Sequence, residues 1–268
     1  MKARLIILLL LSASSFLAQA QQIKSKGSFK LSFEPVAASI DRQGYLYFAS
    51  DEGVIEKYNQ SGELQYHFSP RKKARPSLLE AWQGLRVFVY YQGFQEYLFL
   101  NRFLTESERY NLQRFNLSQF NGIATLSADN NLWLIDSNSL TLIKLDLQSG
   151  EKLLDNVLSL SLNTSGIDPL FMREYQNLLF ISDAKNGLLV FDNLGNYVET
   201  LTEDSPSFFS FSRNEIIYTQ KQNMILMDIY SKTKREISTA DLSYEIVFME
   251  NNQVFALSGN RVDILSLN

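Results

Sequence analysis

The chain has 268 residues, 45% of them hydrophobic and 20% charged, with 25 Lys and Arg against 29 Asp and Glu, one His and no Cys. A chain of this length buries roughly three-quarters of the surface its unfolded form exposes, so a core can form without disulfides, for which it has no cysteines. Its acidic balance supplies no overall positive field, which argues against nucleic acid or anionic lipid as the ligand.

The first element is a leader. Lys2 and Arg4 precede the apolar run Leu5 to Leu11, and Ala18-Gln19-Ala20 supplies a small-x-small end. Those parts predict a signal peptide over residues 1–20, cut after Ala20, with residues 21–268 forming a single domain. The apolar run is too short to span a membrane, and no later stretch comes closer. Loss of Lys2 and Arg4 leaves 23 basic against 29 acidic side chains, a net charge of −6. Export without cysteine fits the bacterial periplasm or the outside of the cell, and it excludes lipid acylation on an N-terminal Cys.

After the leader, Phe29, Leu31 and Phe33 alternate with Ser28, Lys30 and Ser32, which predicts one strand over Gly27 to Phe33. One phrase then recurs six times: a polar turn followed by a short β-rich run. Its copies begin at Tyr45, Leu85, Leu132, Leu178, Ile216 and Val254, spaced 40, 47, 46, 38 and 38 residues apart. A period of this length built from short strands predicts a β-propeller. The third copy shows a four-strand order: Gly122 to Ser127, Leu132 to Ile135, Leu142 to Leu145 and Leu153 to Leu158. Gly-closed turns follow the third strand at Asn59 to Gly62, Asp146 to Gly150 and Asp192 to Gly195, whereas the fifth copy has Tyr230-Ser231-Lys232-Thr233 there. The last copy has only three strands before the chain stops. The surplus strand near the N-terminus matches that deficit, so the expected fold is all-β, a six-bladed propeller of four-stranded antiparallel blades closed by the N-terminal strand pairing with the last blade.

Blade one reads Asp41-Arg42-Gln43-Gly44-Tyr45-Leu46-Tyr47-Phe48-Ala49-Ser50-Asp51, and later Ser61-Gly62. Blade four is similar from Leu179-Phe180-Ile181-Ser182-Asp183 to Asp192-Asn193-Leu194-Gly195, and blade three carries Asn130-Asn131 in its turn. These residues resemble the NHL-type repeat of six-bladed propellers over about half of the mature chain. Blades two, five and six lack the terminal Asp. The resemblance implies the fold more than a role, because such propellers include scaffolds, sensors, lactonases and lyases.

Catalytic motifs are few. The single His67 lies in the outer-strand run Leu64-Gln65-Tyr66-His67-Phe68, which removes His-ligated metal clusters, and no G-x-S-x-G elbow or phosphate-binding glycine loop is present. Asp51, Asp136 and Asp183 recur just after the second strand of their blades. A ring of such carboxylates could hold Ca²⁺, or each could accept hydrogen bonds from its own loop. The basic run Arg71, Lys72, Lys73 and Arg75 precedes the aromatic-rich second blade. There Tyr90, Tyr91 and Phe94 are expected at an exposed turn on the same face, together forming a patch for an acidic partner or anionic glycan. The expected function is an exported, non-catalytic binding or scaffold propeller of the bacterial envelope, engaging a protein or glycan without a cofactor. The alternative is a metal-assisted lactonase- or lyase-like enzyme using the three aspartates.

Overall fold

The computed structural model describes residues 23–115, 117, 122–162, 166–239 and 243–267. The expected signal peptide, residues 1–20, lies outside the described residues.

Six four-stranded antiparallel sheets follow one another along the chain. Blade one contains β2 (Ala37–Ile40), β3 (Leu46–Ala49), β4 (Ile55–Tyr58) and β5 (Leu64–Phe68). Blade two contains β6 (Leu78–Glu80), β7 (Arg86–Tyr91), β8 (Glu96–Asn101) and β9 (Glu106–Asn111). In blade three, β10 (Gly122–Leu126), β11 (Leu132–Asp136), β12 (Thr141–Leu145) and β13 (Lys152–Val157) precede a single helical turn, α1 (Leu158–Leu162). Blade four runs through β14 (Pro169–Tyr175), β15 (Leu178–Asp183), β16 (Gly187–Asp192) and β17 (Tyr197–Thr202). Blade five has β18 (Phe209–Ser212), β19 (Glu215–Gln220), β20 (Asn223–Asp228) and β21 (Lys234–Ser238). Blade six has β22 (Ile246–Glu250), β23 (Gln253–Ser258), β24 (Arg261–Leu267) and, from the other end of the chain, β1 (Ile23–Lys30).

That closure is antiparallel, from Ile23 opposite Leu267 to Lys30 opposite Arg261, with a register shift between Ser25 and Gly27. The Leu31 N–H adds a last bond of 2.8 Å to the Asn260 carbonyl. The strand therefore starts four residues before the expected start at Gly27 and ends at Lys30, before Phe33. Residues 24–28 are exposed because an outermost strand has one sheet beside it and solvent beyond, so no hydrophobic pattern marks its beginning.

Strands in the middle of each blade are buried on both faces, and their two sets of alternate side chains enter two different clusters. In β7, Phe88 and Tyr90 pack toward blade three, while Val87, Val89 and Tyr91 pack toward blade one. Equivalent apolar clusters fill the junctions of blades three and four, four and five, five and six, and six and one. This explains why these strands read as continuous apolar runs instead of alternating ones.

A side-chain cap holds the third-to-fourth strand turn of blades one to five. Asn59, Asn101, Asp146, Asp192 and Asp228 each accept two backbone N–H bonds from the residues just ahead. Gly62 takes φ +82° in the first of these turns, and a Cβ there would sit 2.4 Å from the Phe29 ring, so the closing strand docks on a glycine. In the fifth blade Lys232 adopts φ 61°, and its ammonium meets the Glu199 carboxylate of blade four.

N–H donors from Ser149 and Gln148 hold the Asp146 carboxyl below the usual carboxylate range, and those from Ser231 and Tyr230 do the same for Asp228. A depressed folded pKa adds stability that is complete above the unfolded value of about 3.9 and is lost as pH falls through the lower folded value. An Asp146→Asn, Asp228→Asn double variant is expected to show a flatter loss of stability between about pH 4 and pH 2. Denaturant melts across that range check this, and an unchanged acid slope would contradict it.

Candidate functional site

The six innermost strands run in the same direction, so their starts surround one mouth of the central channel and their ends surround the other. Connections between blades and second-to-third strand turns open on the first, here called upper, face. First-to-second and third-to-fourth strand turns open on the lower face.

The upper mouth is a cavity of about 690 Å³. Phe33, Leu78, Leu170, Phe171 and Phe208 line it, and Leu170 leaves 40% of its surface exposed. The Phe171 and Phe208 ring centroids lie 5.0 Å apart, and Phe208 meets Phe248 edge-on at 5.5 Å. Exposed Glu34, Asp51, Glu245 and Arg75 form the rim. The mouth thus joins an aromatic floor to a rim with three carboxylates and one guanidinium.

A buried polar hub crosses the channel wall below it. Glu80 on β6 is 2% exposed. It accepts bonds from Thr125 Oγ1 at 2.5 Å and the Leu126 N–H at 2.8 Å, both on β10. Arg173 on β14 brings its Nε to 3.0 Å from Glu80 Oε1, an ion-pair contact without the alignment of a hydrogen bond. Burial pushes the Glu80 carboxyl up, while Arg173 and the two donors pull it down. Three blades are therefore tied through one carboxylate.

At the opposite end, the lower mouth encloses about 640 Å³. The Arg42 guanidinium lies 5.2 Å from the Trp82 ring centroid. Tyr175 and Phe211 stack at 4.3 Å and 5° between planes. Glu174 is occupied by the Trp133 indole N–H at 2.5 Å and the Ala128 N–H at 3.1 Å.

The structure separates the residues expected to act together. Tyr90 and Tyr91 are each 1% exposed, so the expectation of exposed tyrosines is corrected. The turn begins only at Gln92, which leaves both residues inside β7, covered by blades three and one. The Tyr90 hydroxyl donates to the Gly122 carbonyl at 3.2 Å. Burial pushes the Tyr91 hydroxyl up to about 12. Phe94 does reach the surface, 42% exposed, with the Lys72 ammonium 4.4 Å from its ring centroid. Lys73 pairs with Glu52 at 2.5 Å, Arg71 faces the field of Glu106, and Arg75 stands apart on the upper rim.

The three aspartates do not converge. Asp183 accepts the Lys185 and Asn186 N–H groups at 3.0 and 2.9 Å, the Asn186 amide at 2.6 Å and the Asp168 N–H at 2.5 Å. Asp136 serves the Asn138 N–H at 3.1 Å and the Ser139 hydroxyl at 2.8 Å. Asp51 remains at the upper mouth. Among the described residues no group of three or more His, Asp or Glu side chains is arranged to hold a metal ion. His67 is exposed on outer strand β5.

Sequence reading missed the mouth-lining Phe33, Phe171 and Phe208 and the pair Glu80 and Arg173. A charged residue inside each of the apolar runs Leu78-Leu79-Glu80-Ala81 and Leu170-Phe171-Met172-Arg173 was the available signal.

No family model matches the chain, and no curated protein matches it in sequence. Solved structures match it in fold. A streptogramin B lyase structure is 14% identical, with 95% of this chain and all of that chain covered and a TM-score of 0.66. Virginiamycin B lyase from Staphylococcus aureus, in a catalytically inactive histidine-to-alanine form with quinupristin, is 12% identical over 92% of this chain and all of that one, with a TM-score of 0.63. BamB from Moraxella catarrhalis is 10% identical over 91% of this chain and 98% of that one, with a TM-score of 0.51. These likenesses show the propeller fold. They do not show the narrower NHL-type kinship.

Proposed function

We propose that the protein is an exported, non-catalytic propeller that holds a partner protein of the bacterial envelope on its upper face. The observation carrying this reading is the upper mouth itself, whose aromatic floor sits within a rim of Glu34, Asp51, Glu245 and Arg75. Buried aromatics ringed by exposed charge are what protein-binding hot spots are made of. Three carboxylates against one guanidinium favour a partner segment that carries Lys or Arg beside apolar side chains. Arg71, Lys72 and Phe94 extend the surface outward on the same face, where they would meet acidic groups at the partner's periphery. A glycan fits this mouth less well, because the rim offers mostly carboxylate acceptors.

Export rests on the leader read in the sequence, and none of the described helices is long and apolar enough to cross a membrane. The lyase-like alternative has one point in its favour, the fold shared with streptogramin-class lyases. Against it, the inactive lyase of similar fold is described by loss of a histidine, and the one histidine here lies on an outer strand away from both mouths. Two of the three aspartates proposed as ligands already serve their own loops.

The test is partner recovery from native envelope extract with Glu34, Asp51 and Glu245 changed to Lys, beside a second variant with Arg71 and Lys72 changed to Glu. The rim variant is expected to lose recovery at least about tenfold, as removing about 1.4 kcal/mol of complementarity would do, and the second variant to lose less. Full recovery by the rim variant would sink the reading. Melting with and without calcium is expected to show no shift, whereas a calcium-dependent rise would transfer support to the enzyme.

A further inference from the structure

We infer that the lower mouth is a second, independent site for a small carboxylate-bearing sugar, with Arg173 receiving the carboxylate. The inference does not rest on the upper-face reading, since the two cavities open on opposite faces. Three arginines line the lower cavity. Arg42 and Arg213 are exposed and make no ion pair with the described residues, and Arg213 is held at φ 55° in the hairpin between β18 and β19. Arg173 differs from both in its burial. Its side chain is only 11% exposed, and beyond the Nε contact with Glu80 its guanidinium makes no hydrogen bond to the described residues.

A planar guanidinium in ion-pair contact with one carboxylate at its Nε, with its remaining donors unspent and a cavity that it lines, is suited to a second carboxylate. The acids nearby do not fill that role. Glu174 is taken by Trp133 and Ala128, Asp41 by its own turn and the Tyr47 hydroxyl, and Glu80 by β10. Glu250 is the remaining rim carboxylate.

The walls speak for a sugar over a bare anion. Trp82, Tyr175 and Phe211 present ring surface, and Asn177, Ser212 and Asn251 supply donors and acceptors for hydroxyls. A space of about 640 Å³ is in the usual range for small-molecule sites. An aromatic wall beside fixed polar groups discriminates a pyranose from a simple acid by burying its C–H face.

Calorimetric titration of the whole mature protein with glucuronate and galacturonate, against glucose, galactose and acetate, tests this. One of the uronates is expected to bind at least about tenfold more tightly than the matching neutral sugar and than acetate. Trp82→Ala and Arg42→Ala are each expected to weaken it severalfold without changing the melt. Arg173→Lys keeps the charge beside Glu80 but not the fork, and it is expected to abolish the preference for uronate over neutral sugar. If Arg173→Lys does not fold, the Trp82 and Arg42 variants decide the matter. Absence of uronate binding at millimolar concentration, equal binding of neutral sugar or acetate, or binding untouched by the Trp82 and Arg42 variants would each overturn the inference. Partner recovery on the upper face is expected to be the same in all three variants, so failure here is distinguishable from failure there.

Discussion

Removal of residues 21–30 is expected to lower the melting temperature by roughly 10–20 °C, the shift that about 5 kcal/mol produces in a domain of this size. β1 supplies the outer strand of blade six, and its loss takes away a whole ladder against β24. It also removes the Phe29 ring from Gly62 and from Tyr58, 5.3 Å away between centroids, and so loosens the junction of blades six and one. β24 then becomes an unpaired edge, a template for association with other chains. Concentration-dependent aggregation should therefore accompany the drop in melting temperature. A synthetic peptide covering residues 21–34 should restore part of the stability in trans, by binding only the folded form. A truncated protein that melts like the full chain and stays monomeric would show that the ring does not depend on its N-terminal strand.

The second large effect is expected at the hub beneath the upper mouth. Arg173→Ala should cost about 3–5 kcal/mol, because it leaves the Glu80 carboxylate buried without its opposite charge. Glu80→Gln combined with Arg173→Met should recover most of that loss, since the Gln oxygen can still accept from the Leu126 N–H while its amide NH2 donates to the Thr125 hydroxyl, which can also accept. The defect should also depend on pH. Burial raises the Glu80 carboxyl, and a carboxyl raised in the folded state is most favourable below its unfolded pKa and costs stability as pH rises through the folded value. Without Arg173 that cost is unopposed, so the Arg173→Ala defect should be smaller near pH 4 than near pH 8. Equal losses in the single and double variants, or a defect independent of pH, would mean that the pair is not coupled.

The parts of the fold that were legible in the sequence are those whose cause is local. Each marker from Tyr45 to Val254 lies at or next to the start of a second strand, because the middle of that strand is covered on both sides and is apolar there. The turn residues Asn59, Asp146 and Asp192 could be recognised because their side chains bond N–H groups two to four positions ahead. Asn101 and Asp228 do the same work without a following glycine, and Leu104 and Lys232 take the positive φ there instead, which hid the turn of blade two and left that of blade five, at Tyr230 to Thr233, without its glycine mark.

The site was harder to read because it is assembled between blades. Glu80 meets Thr125 across 45 positions of sequence, and no local pattern announces that pairing. Tyr90 and Tyr91 could be placed outside only while the end of β7 was unknown. A strand two residues shorter would have carried them into the turn. The basic run kept its place on the upper face but not its unity, because Glu52 and Phe94 engage Lys73 and Lys72 from neighbouring turns. The Asp ring failed for a related reason: a loop that needs its N–H groups bonded uses the nearest carboxylate, as at Asp183.

The proposal that the upper mouth holds a partner protein is tested most directly by a photo-crosslinking residue placed in the living cell at Leu170, within the mouth, and separately at Leu85, 69% exposed at the opposite end of its blade. A discrete protein adduct from position 170, absent from position 85 and lost when Glu34, Asp51 and Glu245 are changed to Lys, is the expected result. No adduct from position 170, or the same adducts from both positions, would contradict it.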